Sequence, residues 1–336
     1  MKRSLPTLFV ALALLLSACG GTATEAAPPD EPAAPTDAPP PEASATTEPT
    51  SAAPPDAQPV DGSPWQSEFD PLPAEPVAVS IPTADGRALS GMYYPAKVNP
   101  APIVVMMHWA GGDQYDWWEL APWLQNRADE YAPGAWPGTG VNGPWLNPSW
   151  FPLVLPEASF GVLVFDFGGY GSSPRGSSPD SDLQDVLAAV RFAATLDGVD
   201  PARVLALGGS LGADGALDAC VLFNRDPSEG AACIGSLSLS PGNYLGAPFS
   251  YTEGALELGD AGHSVYCLAA ENDRESGHVC AEPEHENYYG YIYSGDDHAM
   301  FLIQPYKMPS TPPQSSETLK LVLEWLALAT GLPTQP

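Results

Sequence analysis

Runs of consecutive apolar residues recur from about residue 77 onward, and each is short enough to be one strand. Ile103-Val104-Val105-Met106-Met107, Gly161 to Phe165 and Val204 to Leu207 have no polar face to offer solvent. Such runs belong in the interior of a parallel sheet covered on both sides. Ile234 to Leu239, Val265 to Ala270 and Tyr288 to Tyr293 read as further strands. Val77 to Ile81 alternates instead, and Thr83-Ala84-Asp85-Gly86-Arg87 has the composition of a hairpin turn leading into a strand over Ala88 to Tyr94. Helical spacing lies between these runs. Leu183, Val186, Leu187 and Val190 fall at i, i+3, i+4 and i+7; Leu319, Val322, Leu323 and Leu326 form one face of a last helix from about Ser316, stopped by Gly331 and Pro333. Asp180, Asp182 and Asp185 suit the N-terminal end of the first of these helices by favouring its dipole, rather than forming a calcium loop. Strand and helix alternate, which predicts an α/β domain with a mostly parallel central sheet and helices on both faces. Asp113 to Phe160 departs from the pattern: after a short helix over Trp117 to Tyr131 it is rich in Pro and Gly, and it carries Trp117, Trp118, Trp123, Trp136, Trp145 and Trp150. This Trp-rich insertion is expected near the functional site, either lining a pocket or forming a small core of its own.

The first 75 residues follow a different rule. Met1-Lys2-Arg3, an apolar stretch from Leu5 to Leu16 and then Leu16-Ser17-Ala18-Cys19 have the layout of a secretory signal ending in a bacterial lipobox. Residues 1–18 are expected to be removed and Cys19 to carry lipid, so that the body is extracytoplasmic and anchored to a bacterial membrane. Residues 19–75 are dominated by Pro, Ala, Thr, Ser and acidic side chains, with no Lys or Arg between Arg3 and Arg87. That composition is expected to form a disordered tether leading to one domain over 76–336. Removing Cys19 leaves Cys220, Cys233, Cys267 and Cys280, an even number for an oxidising compartment. Of three possible connectivities, Cys220–Cys233 and Cys267–Cys280 are favoured because each joins a buried element to its sequence neighbour. The chain carries a net charge of −29, and the expected domain alone has 10 basic against 30 acidic residues. A surface of that sign repels phosphate backbones, so nucleic acid is excluded as a partner.

Candidate chemistry enters at the strand ends. Val204 to Leu207 runs directly into Gly208-Gly209-Ser210-Leu211-Gly212, a Gly-x-Ser-x-Gly turn that lifts Ser210 above the sheet as a helix begins. Asp273 follows the strand over Val265 to Ala270, and His298 follows Tyr288 to Tyr293. In a parallel sheet these ends share one edge, so the three side chains can converge. Serine needs a base to take its proton, and the imidazole needs a carboxylate to fix its tautomer. Asp296 and Asp297 adjoin His298, but an adjacent side chain has too short a span to reach Nδ1, so Asp273 is preferred. His108, His263, His278 and His285 are expected to be structural or exposed. His278, Glu282 and His285 form no recognised metal motif, and neither metal nor cofactor is expected.

On these residues the chain resembles the α/β-hydrolase superfamily, nearest to dienelactone-hydrolase-like and prolyl-oligopeptidase-like enzymes, over about residues 77 to 330. The resemblance implies Ser210 as nucleophile, His298 as base and Asp273 as acid, with an oxyanion hole from the N–H groups of Leu211 and of Ala110, or of Trp109. Trp109 departs from many relatives, which have Gly directly after the strand-end histidine. Ser210 in place of the Cys common in dienelactone hydrolases favours an ester hydrolase. The implied activity is cleavage of a small-molecule or acyl ester, with no obligate protein partner. A serine peptidase of the same fold and a noncatalytic ligand-binding lipoprotein are the alternatives.

Overall fold

The computed structural model of the protein describes residues 64–131, 151–178, 180–304 and 313–336. The expected signal segment, Cys19, the tether up to residue 63, and Trp136, Trp145 and Trp150 lie outside the described residues. Among the described residues, eight strands form one sheet: β1 (Val77–Pro82), β2 (Ala88–Tyr94), β3 (Ala101–Met107), β4 (Gly161–Phe165), β5 (Val199–Gly209), β6 (Cys233–Leu239), β7 (Ser264–Ala270) and β8 (Tyr288–Tyr293). Their spatial order is β1-β2-β4-β3-β5-β6-β7-β8. β2 pairs antiparallel with β1 and β4, and every other pairing is parallel. The helices are α1 (Leu120–Gln125), α2 (Ser181–Ala193), α3 (Leu211–Arg225), α4 (Tyr251–Asp260), α5 (Ser276–Ala281) and α6 (Pro313–Thr330).

The uninterrupted apolar runs occupy the centre of the sheet because both of its faces are covered. Along β3, Ile103, Val105 and Met107 join Val186, Val190 and Leu217 of α2 and α3 in one core. Val104 and Met106 join Trp117, Leu120 and Trp325 in the other. All five β3 side chains are fully buried, and each contributes roughly 1.5–3 kcal/mol of apolar transfer. Residues 64–75 pack on this body, upstream of the boundary expected at 76. Trp65 is buried and donates its Nε1–H to the carbonyl of Pro333 at 3.3 Å.

The single helix expected over Trp117 to Tyr131 is divided. A 3-10 turn at Gln114–Trp117 precedes α1, and another at Ala128–Glu130 follows it. Asn126, in the left-handed region at φ 54°, ends α1 after six residues. Trp117 enters the core, while Trp123 is half-buried and donates to the Pro152 carbonyl at 3.0 Å. Two helices that the periodicity did not predict are present. α4 buries Tyr251, Ala255 and Leu258, but Gly254 and Gly259 lower its intrinsic propensity. Its signal was the capping box: the Ser250 hydroxyl accepts from the Glu253 N–H at 3.2 Å, and the Glu253 carboxylate accepts from the Ser250 N–H at 2.8 Å. α5 has six residues and is linked to β7 by Cys267–Cys280, with Cα atoms 5.3 Å apart. Cys220 of α3 and Cys233 of β6 form the other pair at 5.2 Å. The favoured pairing is therefore the one the fold contains.

Of the three carboxylates at the start of α2, Asp185 has a different task from the expected one. Its side chain is fully buried and accepts from the Arg87 guanidinium at 2.6 Å and from the Gly168 N–H at 2.8 Å. It ties the β1–β2 hairpin to the loop after β4.

Candidate active site

The C-terminal end of β5 meets the start of α3 in a turn with very little room. A Cβ on Gly208 would lie 1.9 Å from the Gly212 carbonyl oxygen, and one on Gly212 would lie 2.2 Å from the Met107 carbonyl oxygen. Only glycine fits at either position. Between them Ser210 sits at φ 51°, ψ −114°, its N–H held by the Leu239 carbonyl at 2.8 Å. This strained backbone aims the hydroxyl off the sheet.

Ser210, His298 and Asp273 lie in one hydrogen-bonded row. Ser210 Oγ is 2.9 Å from His298 Nε2. His298 Nδ1 is 2.8 Å from Asp273 Oδ1 and 2.9 Å from Oδ2. Asp273 and Ser210 are buried, while His298 keeps part of its ring exposed. A carboxylate on Nδ1 fixes that nitrogen as the donor and leaves Nε2 to accept the serine proton.

Leu211 opens α3, so its N–H is among the first-turn donors that have no carbonyl partner within the helix. Across from it, the loop after β3 is organised by His108. The Phe167 N–H donates to His108 Nε2 at 3.1 Å, which leaves the proton on Nδ1, and Nδ1 donates to the Trp109 carbonyl at 2.7 Å. Burial pushes the His108 pKa down, consistent with a neutral ring. The Trp109 carbonyl also accepts from the Gly112 N–H at 3.1 Å. In a planar trans peptide the Ala110 N–H points opposite to that carbonyl, away from both donors. Ala110 is exposed. The half-buried indole of Trp109 lies over Gly111 and Gly112. Its centroid is 6.3 Å from that of the His298 ring and 5.6 Å from that of Phe301.

Ser240, which sequence reasoning did not single out, stands directly after β6 at φ 57° and is fully buried. Its hydroxyl accepts from the Ala299 N–H at 2.8 Å. The end of β6 thus holds Ser210 through the Leu239 carbonyl and the residue after His298 through Ser240. Ser240→Ala would leave the Ala299 N–H unpaired, a loss of about 1–3 kcal/mol. We expect the rate at which a fluorophosphonate labels Ser210 to fall by about 10-fold. An unaltered labelling rate would show that the His298 loop holds its position without this bond.

Asp214, one turn after Ser210, anchors the loop beyond Ser240 by accepting from the N–H groups of Gly242, at 2.8 Å, and Tyr244. Burial pushes its pKa up to about 6. Asp218, a further turn along, is pushed up to about 8 by burial and then by the Asp214 charge. The folded state therefore keeps the Asp218 proton where the unfolded chain, near pKa ~3.9, has lost it. Its contribution to stability is fully present below that unfolded value and is lost as pH rises toward 8. Asp218→Asn is expected to flatten the fall in urea midpoint between pH 5 and pH 8, and equal slopes for the two proteins would contradict this.

Among the described residues, no group of three or more His, Cys, Asp or Glu side chains is placed to hold a metal ion. His285 lies 3.3 Å from Asp260, and burial pushes the His263 pKa down.

No protein-family model matches the chain. The uncharacterized protein YfhR of Escherichia coli K12 is 25% identical over 169 residues, 49% of this chain and 47% of YfhR. The uncharacterized protein Rv2307c of Mycobacterium tuberculosis is 29% identical over 166 residues, 47% of this chain and 48% of that protein. The chain spans about half the length of the curated relatives it matches. Among solved structures, the alpha/beta hydrolase GrgF from Penicillium sp. sh18 superposes with a TM-score of 0.51 at 14% identity, over 76% of this chain and 99% of GrgF. The Pyrococcus furiosus esterase Pf2001 superposes at 0.48 and 17% identity, over 76% of this chain and 91% of the esterase. At such identities the likeness concerns the fold.

Proposed function

We propose that this chain, which has the α/β-hydrolase fold, is a serine hydrolase that cleaves carboxylic esters. The reading is carried by the hydrogen-bonded row from Ser210 through His298 to Asp273. His298 Nε2 takes the proton as Ser210 Oγ attacks the ester carbonyl carbon, and Asp273 stabilises the resulting imidazolium. The tetrahedral oxyanion is held by the N–H groups of Leu211 and Ala110. Ala110 is preferred to Trp109 as the second donor because the Trp109 carbonyl is bound by His108 and Gly112. The alcohol leaves with the proton from His298, and water activated by the same nitrogen then hydrolyses the acyl-enzyme.

In this reading the enzyme works outside the cytoplasm, tethered to a membrane through lipid on Cys19. The two cysteine pairs at disulfide distance favour an oxidising compartment. The experiment is the pre-steady-state hydrolysis of p-nitrophenyl acetate by the full chain. A burst of nitrophenolate close to one equivalent per active site, followed by slower steady turnover, is the expected result. No turnover across a panel of esters from acetyl to octanoyl would overturn the reading.

A further inference from the structure

We infer that the Trp109 indole is the wall against which the alcohol portion of the ester lies, and that it selects esters of flat aromatic alcohols. The inference rests on the serine-hydrolase reading and asks what that site accepts. Its basis is the unusual reach of one side chain. Trp109 belongs to the loop whose Ala110 N–H faces away from His108, and its ring folds back so closely that a Cβ on Gly111 would lie 3.0 Å from it. The same ring packs 6.3 Å from His298, tilted by 45°, and meets Phe301 edge-on at 5.6 Å. It therefore spans the distance from the oxyanion loop to the base.

The direction follows from the reaction. Attack forms a bond between Ser210 Oγ and the carbonyl carbon, and collapse breaks the bond from that carbon to the alkoxy oxygen. The proton taken from Ser210 passes from His298 Nε2 to that oxygen, so the leaving oxygen comes within hydrogen-bond reach of Nε2. Nε2 is already 2.9 Å from Ser210 Oγ. The carbon attached to the leaving oxygen is then beside the ring that packs near the imidazole, Trp109, with Phe301 set edge-on against that indole. The acyl chain leaves the carbonyl carbon in the other direction. Trp109 and Phe301 are both half-buried and retain accessible surface. A planar aromatic ring one carbon from the leaving oxygen can stack on the indole or meet its edge, which a puckered saturated ring of the same size cannot do.

The test compares benzyl acetate with cyclohexylmethyl acetate, whose alcohols are similar in acidity and size and differ in flatness. The unmutated full chain is expected to prefer the benzyl ester in kcat/KM by about 5- to 10-fold. Trp109→Ala is expected to bring the ratio close to 1, and Trp109→Phe to leave it between the two. The ratio of benzyl acetate to benzyl hexanoate is expected to be the same in all three proteins. Each ratio is taken within one preparation, so the amount of folded protein cancels. A benzyl preference near 1 in the unmutated chain, a preference that Trp109→Ala leaves intact, or a shift in the acyl ratio instead would overturn the inference while the hydrolase reading stood. Failure on these esters by a chain that turns over p-nitrophenyl acetate would overturn the inference alone, and failure on p-nitrophenyl acetate and the ester panel as well would overturn both.

Discussion

His298→Ala is expected to lower kcat for ester hydrolysis by ~10⁴-fold or more while KM changes little. The serine hydroxyl is a weak nucleophile until a base takes its proton, and His298 Nε2 is the group hydrogen-bonded to Ser210 Oγ at 2.9 Å. The loss falls on kcat because the imidazole acts on the proton in flight rather than on the bound ester. Ser210→Ala added to His298→Ala is expected to cost little more, since the row operates as one unit and the residual rate then comes from the oxyanion donors. Asp273→Asn should fall short of the full loss, with an amide presenting the wrong partner to Nδ1. Steady-state kinetics of the single and double variants check this. Retention of more than a tenth of the rate by His298→Ala would mean that another group activates Ser210.

Arg87→Ala is expected to destabilise the fold by about 3–5 kcal/mol, the loss typical when one partner of a buried ion pair is removed. Asp185 has a fully buried side chain, and it keeps only the Gly168 N–H once the guanidinium is gone. Arg87 also donates to the Pro174 carbonyl at 3.2 Å and to Asp85 at 2.7 Å, so the hairpin and the loop after β4 lose a common anchor. A fall in melting temperature of about 10 °C follows for a domain of this size. Asp185→Asn placed on Arg87→Ala should recover part of it, because the uncompensated charge is then removed. A melting temperature within about 2 °C of the unmutated protein would contradict the assignment of this pair as a structural tie.

What the chain revealed in advance was what its local pattern dictates. β3, β4 and the apolar part of β5 were legible because a strand buried on both faces must be apolar throughout. The ends of β5, β7 and β8 followed, and with them Ser210, Asp273 and His298, because parallel strands end on one edge. The partners that hold these residues were not legible. Asp185 looked like a helix N-terminal carboxylate, and its pairing with Arg87 spans 98 residues. Ser240 carried no motif, because its role depends on Ala299 lying across the end of β6. His108 reads in sequence only as structural or exposed, and its contacts with Phe167 and Trp109 are what explain how it turns the Ala110 peptide. α4 is hard to read for a local reason: Gly254 and Gly259 lower the helical propensity of a segment whose clearest signal is the Ser250–Glu253 capping box.

The central claim is an activated Ser210, and the most direct test is labelling of the purified full chain with a fluorophosphonate, with Ser210→Ala as control. The account predicts one covalent adduct on the unmutated protein, located at Ser210 by peptide mapping and absent from the variant. No adduct on the unmutated protein, or equal labelling of both, would contradict it.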